Sequence, residues 1–554
     1  MFSRLAYMLS WPRSSSFTIE GLPWSLVHAT ASDIAGKEQS INEAFVLGQL
    51  WTSRDDGDTI LHRNLCAAAW RLILRVVPEA FIDSLDDASR TPLMRAAGRG
   101  LPGDLDGVVY LLAHGADPNA RDSHGKTALH HAAAATNEPA IKALLSLGAT
   151  TDPTDEENHP RFSLPEEGYI SEGQASVNRR ILNYFSIHEL VADGDGEVSI
   201  DHATREHRDV WEREKIRGKR DHILSIDGGG MRGLVALIII GCLERRSGRS
   251  IGNSFKWIAG TSTGAIIAVA LASGKTPLET ILLYLRMKDD IFRTGRASAI
   301  WNETDKVLEM HLAHQFGKNS TMDSFMERKD ERGRKRVLVT TVDASVKPEK
   351  LHCFLSYSPV HRAGEEEDTS YTTGENIVRA LRCSSAAPSY FTPVDKRFYD
   401  GGIFANNPTM HILHQFERHT DLRRKGGHHP PLMGCVLSIG TGIPPEHPSE
   451  AVGDFSSSRA ILRTVMNAHK LFDLAIDKLT CAQTDVAPAR TLVRNKRHAE
   501  YFRFSPRLDV TVDLNETDNE KLVEMMWATK EYMHKHLQYI LLFSDFMDAC
   551  DARR

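Results

Sequence analysis

A serine enclosed by two glycines is the feature of this sequence that points most directly to chemistry. Residues 260–264 read Gly-Thr-Ser-Thr-Gly, between a strand-like stretch and an apolar run. This pattern is typical of a nucleophile elbow, because Gly260 and Gly264 allow a strained turn that exposes the hydroxyl of Ser262. A glycine-bordered turn with an idle serine is the alternative, so the motif needs support from its neighbours.

A second glycine-rich turn precedes this serine. Strand-like residues 222–226 run into Asp-Gly-Gly-Gly-Met-Arg-Gly at 227–233, and residues 234–246 have the pattern of a helix. Consecutive glycines let N–H groups point into a space that a Cβ would block, which suits an oxyanion hole or a dinucleotide site. A dinucleotide site needs an acidic residue about 20 positions further on, and residues 247–254 contain none. A plain strand-to-helix turn also stays open. The candidates for the oxyanion hole are Gly228, Gly229, Gly230, Met231, Arg232 and Gly233.

The distance along the chain between the two turns connects them. Gly228 and Ser262 are separated by about the length of one βαβ unit, whose two parallel strands lie side by side. Both turns are then expected at the carboxyl edge of one sheet, where α/β folds bind ligands. A nucleophile beside backbone donors is what acyl transfer requires.

A general base must activate the serine. None of the 25 histidines lies in a comparable setting at the end of a strand between glycines. Residues 397–399 instead run into Asp400, Gly401 and Gly402. A carboxylate there, given room by two glycines, could reach Ser262 directly. The alternative is that Asp400 only begins a turn, as Asp-Gly often does.

The order and context of the motifs at 227–233, 260–264 and 400–402 resemble those of the patatin-like phospholipases, which use a Ser–Asp dyad without histidine. Residues 384–391 and 437–442 are also similar to that family, and the resemblance covers roughly residues 222–415. It implies an α/β patatin-like three-layer domain with a central, mostly parallel sheet.

The resemblance also implies the roles of individual residues. Ser262 attacks the ester of a glycerophospholipid, Asp400 accepts the proton, and the N–H groups of Gly229 and Gly230 hold the oxyanion. No cofactor and no metal are expected. Because the oxyanion is bound by backbone and the sequence contains no EF-hand loop, calcium is chemically unnecessary.

The first part of the chain contains an internal repeat. Similar segments at 58–62, 90–94 and 126–130 recur with a period near that of stacked helix pairs, about 33 residues. Residues 117–132 match the pattern of ankyrin repeats well, so we expect an all-α array. Such arrays usually bind proteins, which predicts a docking surface for a protein partner. The alternative is a packing domain that only orients its neighbour.

The order of the two parts, ankyrin repeats followed by a patatin-like domain, resembles that of the group VI calcium-independent phospholipase A2. The resemblance implies a homodimer through the catalytic domains and, more weakly, calmodulin as a partner. The predicted segments are 1–50 as an N-terminal segment, flexible or targeting, 51–152 as ankyrin repeats, 153–221 as a linker with a charged helix, 222–415 as the catalytic core and 416–554 as its C-terminal part with amphipathic helices.

Composition narrows the class of protein. A net charge of -6 gives no case for nucleic acid, and seven scattered cysteines exclude a disulfide scaffold. No apolar run approaches the 18 or more residues of a membrane span. We therefore expect a cytoplasmic protein that associates peripherally with membranes. A mitochondrial location stays open, because no acidic residue precedes Glu20.

Two segments are candidates for membrane contact. Residues 458–480 have the periodicity of an amphipathic helix, which suits a bilayer surface, calmodulin or a position over the catalytic core. Residues 328–336 are rich in basic side chains, which suits anionic headgroups or a solvated hairpin tip.

The predicted function is that of a calcium-independent phospholipase A2 with an acyl-serine intermediate. With the same dyad but a different substrate, the enzyme would be a lysophospholipase, an acylglycerol lipase or an acyl-CoA thioesterase. Outside enzymes, the alternative is an ankyrin scaffold with an inactive hydrolase domain.

Overall fold

The structure is a computed structural model. It describes residues 58–151, 172–190, 220–292, 301–328, 333–358, 370–445, 484–509 and 511–551, except positions 66, 78, 102, 389, 497 and 498. The predicted N-terminal segment, the amphipathic stretch at 458–480 and nearly all of a charged stretch at 204–220 lie outside the described residues.

One eight-stranded, mostly parallel sheet forms the centre of the second half of the chain. Its order is β5-β4-β3-β2-β1-β7-β8, and β6 pairs with β3. Strands β1 and β2 are buried along their whole length, as expected for parallel strands covered on both faces. The strands are β1 (Arg220–Ile226), β2 (Trp257–Thr261), β3 (Arg336–Asp343), β4 (Lys350–Leu355), β5 (Tyr371–Thr373), β6 (Phe398–Asp400), β7 (Leu432–Ile439) and β8 (Glu500–Phe504).

Strand β3 determines which strand ends meet. Along one edge it pairs in parallel with β2, as far as Thr340 opposite Thr261. From the next residue, Thr341, it pairs in antiparallel fashion with β6, beginning opposite Asp400. Since β4 covers the other edge of β3 over these residues, β2 and β6 lie end to end on the same edge. The last residues of the two strands, Thr261 and Asp400, therefore face each other.

Helices cover both faces of this sheet, which makes three layers and confirms the predicted fold class. Successive residues of β1, Ile223 and Leu224, belong to two different apolar clusters, one on each face. The helices are α7 (Gly233–Ser247), α8 (Ile251–Ser254), α9 (Thr263–Ser273), α10 (Pro277–Phe292), α11 (Trp301–Phe316), α12 (Ser324–Glu327), α13 (Ile377–Ser384), α14 (Gly402–Ala405), α15 (Thr409–Lys425), α16 (Val486–Arg494), α17 (Asn519–Lys535) and α18 (Leu537–Asp551).

The repeats form stacked helix pairs. Thr59, Thr91 and Thr127 each occupy the N-cap position of a helical turn, so the repeated threonines are the start signals of the repeats. Gly115 and Gly148, which follow α3 and α5, have φ values of 98° and 107°, the left-handed conformation in which glycine commonly ends a helix. The helices are α1 (Ala67–Val76), α2 (Pro92–Arg99), α3 (Asp104–Ala113), α4 (Ala128–Ala134) and α5 (Glu138–Ser146), with 3-10 turns at Ile60–His62 and Glu79–Phe81.

A helix that the sequence reading missed lies between the repeats and the sheet. Residues 153–221 were expected to be a linker with a charged helix, but α6 (Glu172–Glu189) is in this region and packs against α17. Its Tyr184 ring meets Trp527 edge to face at 5.2 Å. The sequence of this helix is mostly polar. Its described apolar side chains are buried because the helix packs against other elements.

The basic run at 328–336 is partly packed into the fold in its described part, where Arg334 is exposed and Lys335 and Arg336 have partners. Lys335 is buried, and its ammonium group donates to the carbonyl oxygens of Asn253 and Phe255 at 2.8 and 3.0 Å. The guanidinium group of Arg336 stacks on Trp257 at 4.9 Å. These two side chains are therefore occupied inside the fold and cannot reach lipid headgroups.

Within the described residues, no helix is both long enough and apolar enough to cross a bilayer.

Trp257 supplies a test of the packing beneath the site. Its ring is fully buried and lies 5.3 Å from Phe416 and 5.4 Å from Tyr357. We expect Trp257→Ala to lower the free energy of unfolding by about 3–5 kcal/mol, because it leaves a cavity. The measurement is denaturant unfolding. The control is Leu432→Ala, whose side chain is exposed and which should change stability by less than about 0.5 kcal/mol. Equal effects of the two would contradict the packing described.

Candidate active site

Ser262 occupies a strained turn between β2 and α9. Its backbone has φ 53° and ψ -122°, which is unusual for a residue with a Cβ. The flanking glycines make this turn possible. A Cβ on Gly260 would overlap the carbonyl oxygen of Gly264, and one on Gly264 would overlap that of Ile226. Both glycines of the predicted elbow are therefore required by backbone contacts.

Asp400 lies directly beside this serine. The Ser262 hydroxyl donates to Asp400 Oδ2 at 2.7 Å, and the N–H of Gly402 donates to Oδ1 at 2.7 Å. Gly401 has no room for a side chain, because a Cβ would lie 2.5 Å from Thr340 Oγ1. The structure thus brings together the predicted nucleophile and the predicted base, with no histidine between them.

Burial controls the protonation of Asp400. The carboxyl group is 6% exposed, and this burial raises the pKa of Asp400 to about 6 from its ordinary 3.8. Hydrogen bonds from Ser262 and Gly402 oppose the increase only in part. The carboxylate is consequently more basic than an exposed aspartate and still mostly ionised at neutral pH.

The loop at 228–233 separates the six predicted donors into two groups. The N–H of Gly228 donates to the Asn406 carbonyl at 3.0 Å, and that of Met231 donates to the Leu514 carbonyl at 2.9 Å. The N–H groups of Arg232 and Gly233 donate within the loop itself. These four are engaged in holding the loop.

Gly229 and Gly230 form the second group. In the described part of the chain their N–H groups meet no acceptor, and both residues line the same cavity as Ser262. Side chains there are excluded, since a Cβ on Gly229 would overlap Thr441 and one on Gly230 would overlap the Leu514 carbonyl. These two are the N–H groups available to an oxyanion.

A buried ion pair that the sequence reading missed supports the loop from below. Arg503 of β8 makes two bonds to Asp227, at 2.6 and 3.0 Å, and a third to Ser438 Oγ at 2.9 Å. Thr441 Oγ1 donates to the Gly228 carbonyl at 2.6 Å. The signal for Arg503 was a single charge inside an aromatic strand, Tyr-Phe-Arg-Phe at 501–504.

Ser384 is a second residue to which the sequence reading gave no role. It ends α13, is fully buried, and its hydroxyl accepts the N–H of Ser262 at 2.8 Å. The N–H of the serine itself is therefore unavailable to an oxyanion in this structure. Ser384 belongs to the motif at 384–391, but the sequence does not indicate which of its serines faces the elbow.

A cavity opens above Ser262 and Asp400. Apolar side chains dominate its wall beyond the polar end formed by the dyad and the glycine loop. Such a cavity suits one long apolar chain with its ester at the polar end. The apolar wall includes Ile266, Met287, Ile291, Phe292, Leu308 and Phe391. Among the described residues, no cluster of three or more histidine, cysteine or acidic side chains could hold a metal ion.

These features define an α/β fold with a serine on a strand-to-helix elbow, whose hydroxyl is hydrogen-bonded to an aspartate. Residues 224–413 match the family described as patatin-like phospholipase, and residues 60–155 match ankyrin repeats in three copies. The chain therefore carries a patatin-like domain preceded by ankyrin repeats.

Several characterised proteins are similar to this chain. The 85/88 kDa calcium-independent phospholipase A2 of Rattus norvegicus is 32% identical over 333 residues, which cover 57% of this chain and 39% of the rat protein. The intracellular phospholipase A2 of Caenorhabditis elegans is 29% identical over 499 residues, 83% of this chain and 44% of that protein. The chain thus spans less than half the length of these relatives.

Ser384 and its neighbour Ser385 form a matched pair for a stability test. Ser384→Ala removes the acceptor of a buried N–H, which should cost about 1–3 kcal/mol. Among the described residues, Ser385 Oγ has no hydrogen-bond partner although it is buried, so Ser385→Ala should be neutral or slightly stabilising. Thermal unfolding of the two variants measures the difference. A Ser385→Ala variant as unstable as Ser384→Ala would contradict this assignment.

Proposed function

We propose that this protein is a calcium-independent phospholipase A2, which hydrolyses an acyl ester of a glycerophospholipid through Ser262 and Asp400. The observation that carries the proposal is the 2.7 Å hydrogen bond from the serine hydroxyl to a buried carboxylate. The free N–H groups of Gly229 and Gly230 line the same cavity and supply the second requirement of acyl transfer. The relatives named as phospholipases A2 support the choice of substrate.

The reaction proceeds in two steps. Ser262 Oγ attacks the ester carbonyl while its proton passes to Asp400. The carbonyl oxygen, now negative, accepts hydrogen bonds from the N–H groups of Gly229 and Gly230. Collapse of this intermediate releases the lysophospholipid, whose alkoxide takes the proton from Asp400, and leaves an acyl-serine. Water then attacks the acyl-serine and gives a proton to Asp400. The bond between the acyl carbon and Ser262 Oγ breaks, Asp400 returns the proton to that oxygen, and the fatty acid leaves. Removal of one oxyanion donor typically costs about 2.7–4 kcal/mol in the barrier.

The chain offers two surfaces for partners. We propose that the cavity mouth meets a phospholipid membrane surface, because the acyl chain must leave the bilayer to reach Ser262. The ankyrin repeats are proposed to bind a protein partner on the faces not packed against the sheet domain. A homodimer and calmodulin remain proposals from the family resemblance, and a cytoplasmic or mitochondrial location remains a proposal from the composition of the chain.

A phospholipid with two different acyl chains tests the proposed activity. With palmitate at sn-1 and oleate at sn-2, we expect release of oleate and the palmitoyl lysophospholipid. Ser262→Ala should reduce the rate by about 10⁵-fold or more, because it removes the nucleophile. The measurement is mass spectrometry of the products. Hydrolysis confined to lysophospholipids, acylglycerols or acyl-CoA would assign one of the other substrates.

Calcium removal tests the backbone oxyanion hole. We expect the same rate of hydrolysis in the presence of a calcium chelator, and loss of activity in the chelator would contradict an oxyanion hole made of backbone N–H groups.

The pH profile tests the role of Asp400. Its pKa of about 6 means that the base is protonated in acid, so kcat/KM should fall below pH 6 by about tenfold per unit and level off above pH 7. Asp400→Asn should abolish turnover. A profile unchanged down to pH 4.5 would contradict this base.

The stability of the same variant gives an independent control. Because the folded pKa of Asp400 lies above its unfolded value, the group stabilises the fold in acid, and this contribution is lost as pH rises through about 6. Asp400→Asn should therefore be at least as stable as the wild type at pH 8, so its inactivity cannot come from unfolding.

A further inference from the structure

A buried lysine joins the wall of the cavity to the ankyrin repeats. Lys288, on α10, is 1% exposed and lines the cavity. Its ammonium group donates to Asp289 Oδ2 at 2.9 Å and to the Thr517 carbonyl at 2.8 Å, and it lies 5.2 Å from the centre of the Tyr110 ring. The proposed chemistry gives this cation no role.

The repeats supply the other side of this cluster. The hydroxyl of Tyr110, on α3, donates to Asp289 Oδ2 at 2.7 Å, and Arg71 on α1 lies 3.4 Å from Asp289 Oδ1. The carboxylate of Asp289 is thus shared by a lysine of the cavity wall and two side chains of the repeats. Because all three groups are buried or half-buried, the cluster fixes α10 against α3.

The segment 511–518 continues the connection to the oxyanion loop. Thr517 accepts from Lys288, and Asn519, the next residue after the segment, donates to Asp106 of α3 at 2.7 Å. At the other end, Leu514 accepts the N–H of Met231 at 2.9 Å, and its carbonyl lies against Gly230.

Hydrogen bonds hold the turn between Leu514 and Asn519. The carboxylate of Glu516 accepts the N–H groups of Thr517 and Asp518, both at 3.0 Å, and the ammonium group of Lys521 at 2.9 Å. A shift at Thr517 is therefore transmitted to Leu514 and is not absorbed by a loose loop.

We propose that Lys288 and Tyr110 are positioning residues, through which the ankyrin repeats hold the segment 511–518 and, with it, the N–H groups of Gly229 and Gly230. The kinetic part of this proposal rests on the proposed function, but the positioning itself does not. A protein bound to the repeats that shifts α3 would then change turnover without touching the substrate.

Three variants test the proposal. Lys288→Met removes the ammonium group and keeps the length of the side chain. Tyr110→Phe removes only the hydroxyl, which donates to Asp289 and accepts a bond from Arg71 at 3.3 Å. The matched control is Lys142→Met. Lys142 also joins the repeats to the sheet domain, through Glu524 of α17 at 2.7 Å, but it contacts neither Lys288 nor the segment 511–518.

Two measurements are made on the full-length protein. Hydrogen–deuterium exchange of the peptide that contains Met231 should become faster in Lys288→Met and Tyr110→Phe and stay unchanged in Lys142→Met. On a soluble short-chain ester, kcat should fall by roughly 10- to 100-fold in Lys288→Met, the cost of a small misplacement of catalytic groups. In Tyr110→Phe it should fall by about 2- to 10-fold, as expected for the loss of one hydroxyl group and its hydrogen bonds. KM should change little in either variant.

Several results would overturn the proposal. Unchanged exchange at Met231 in both test variants, or an equal loss in Lys142→Met, would mean that no specific path reaches the loop. A raised KM with unchanged kcat in Lys288→Met would mean that this lysine binds substrate directly. If the wild type hydrolyses no ester but the exchange pattern is as expected, the proposed function fails and the positioning stands.

Discussion

The active-site geometry depends on two strands that share one edge of β3. The parallel strand β2 and the antiparallel strand β6 meet end to end there, at Thr261 and Asp400. The residue after β2 is Ser262, so the register of β3 alone brings a hydroxyl to a carboxylate. The same junction buries Asp400 between packed elements, which raises its pKa toward neutrality. One topological feature thus supplies both the contact and the basicity.

This arrangement requires compensation elsewhere in the fold. Ser262 has an unfavourable backbone conformation that survives only because the surrounding contacts determine it. The Ser384 hydroxyl accepts a hydrogen bond from the N–H of Ser262. Close backbone contacts at Gly260 and Gly264 hold the turn in this conformation. Below the loop, the ion pair of Arg503 and Asp227 joins the ends of β8 and β1. Rigidity around the dyad is therefore built from groups that never touch substrate.

Sequence alone could predict what depends on local pattern. Structure that is determined by neighbouring residues is indicated by three patterns: the glycine spacing around Ser262 and Asp400, the pairing of neighbouring parallel strands and the repeated threonines. Arg503, Ser384 and the Lys288–Tyr110 contact were missed, because each partner lies more than 100 residues away and only packing selects it. Helix α6 was missed for the same reason, since its burial comes from contacts with α5 and α17. In the basic run at 328–336, the sequence pattern did not indicate that Lys335 is buried, because its partners are carbonyl oxygens of residues 253 and 255.

Labelling with a fluorophosphonate, followed by peptide mapping, tests the central claim most directly. The reagent requires an activated serine and an oxyanion hole but no lipid, so it reports on the site and not on the choice of substrate. The account predicts a single modified residue, Ser262, and a labelling rate strongly reduced in Asp400→Asn at pH 8. Modification of a different serine, or equal labelling rates in wild type and Asp400→Asn, would contradict it.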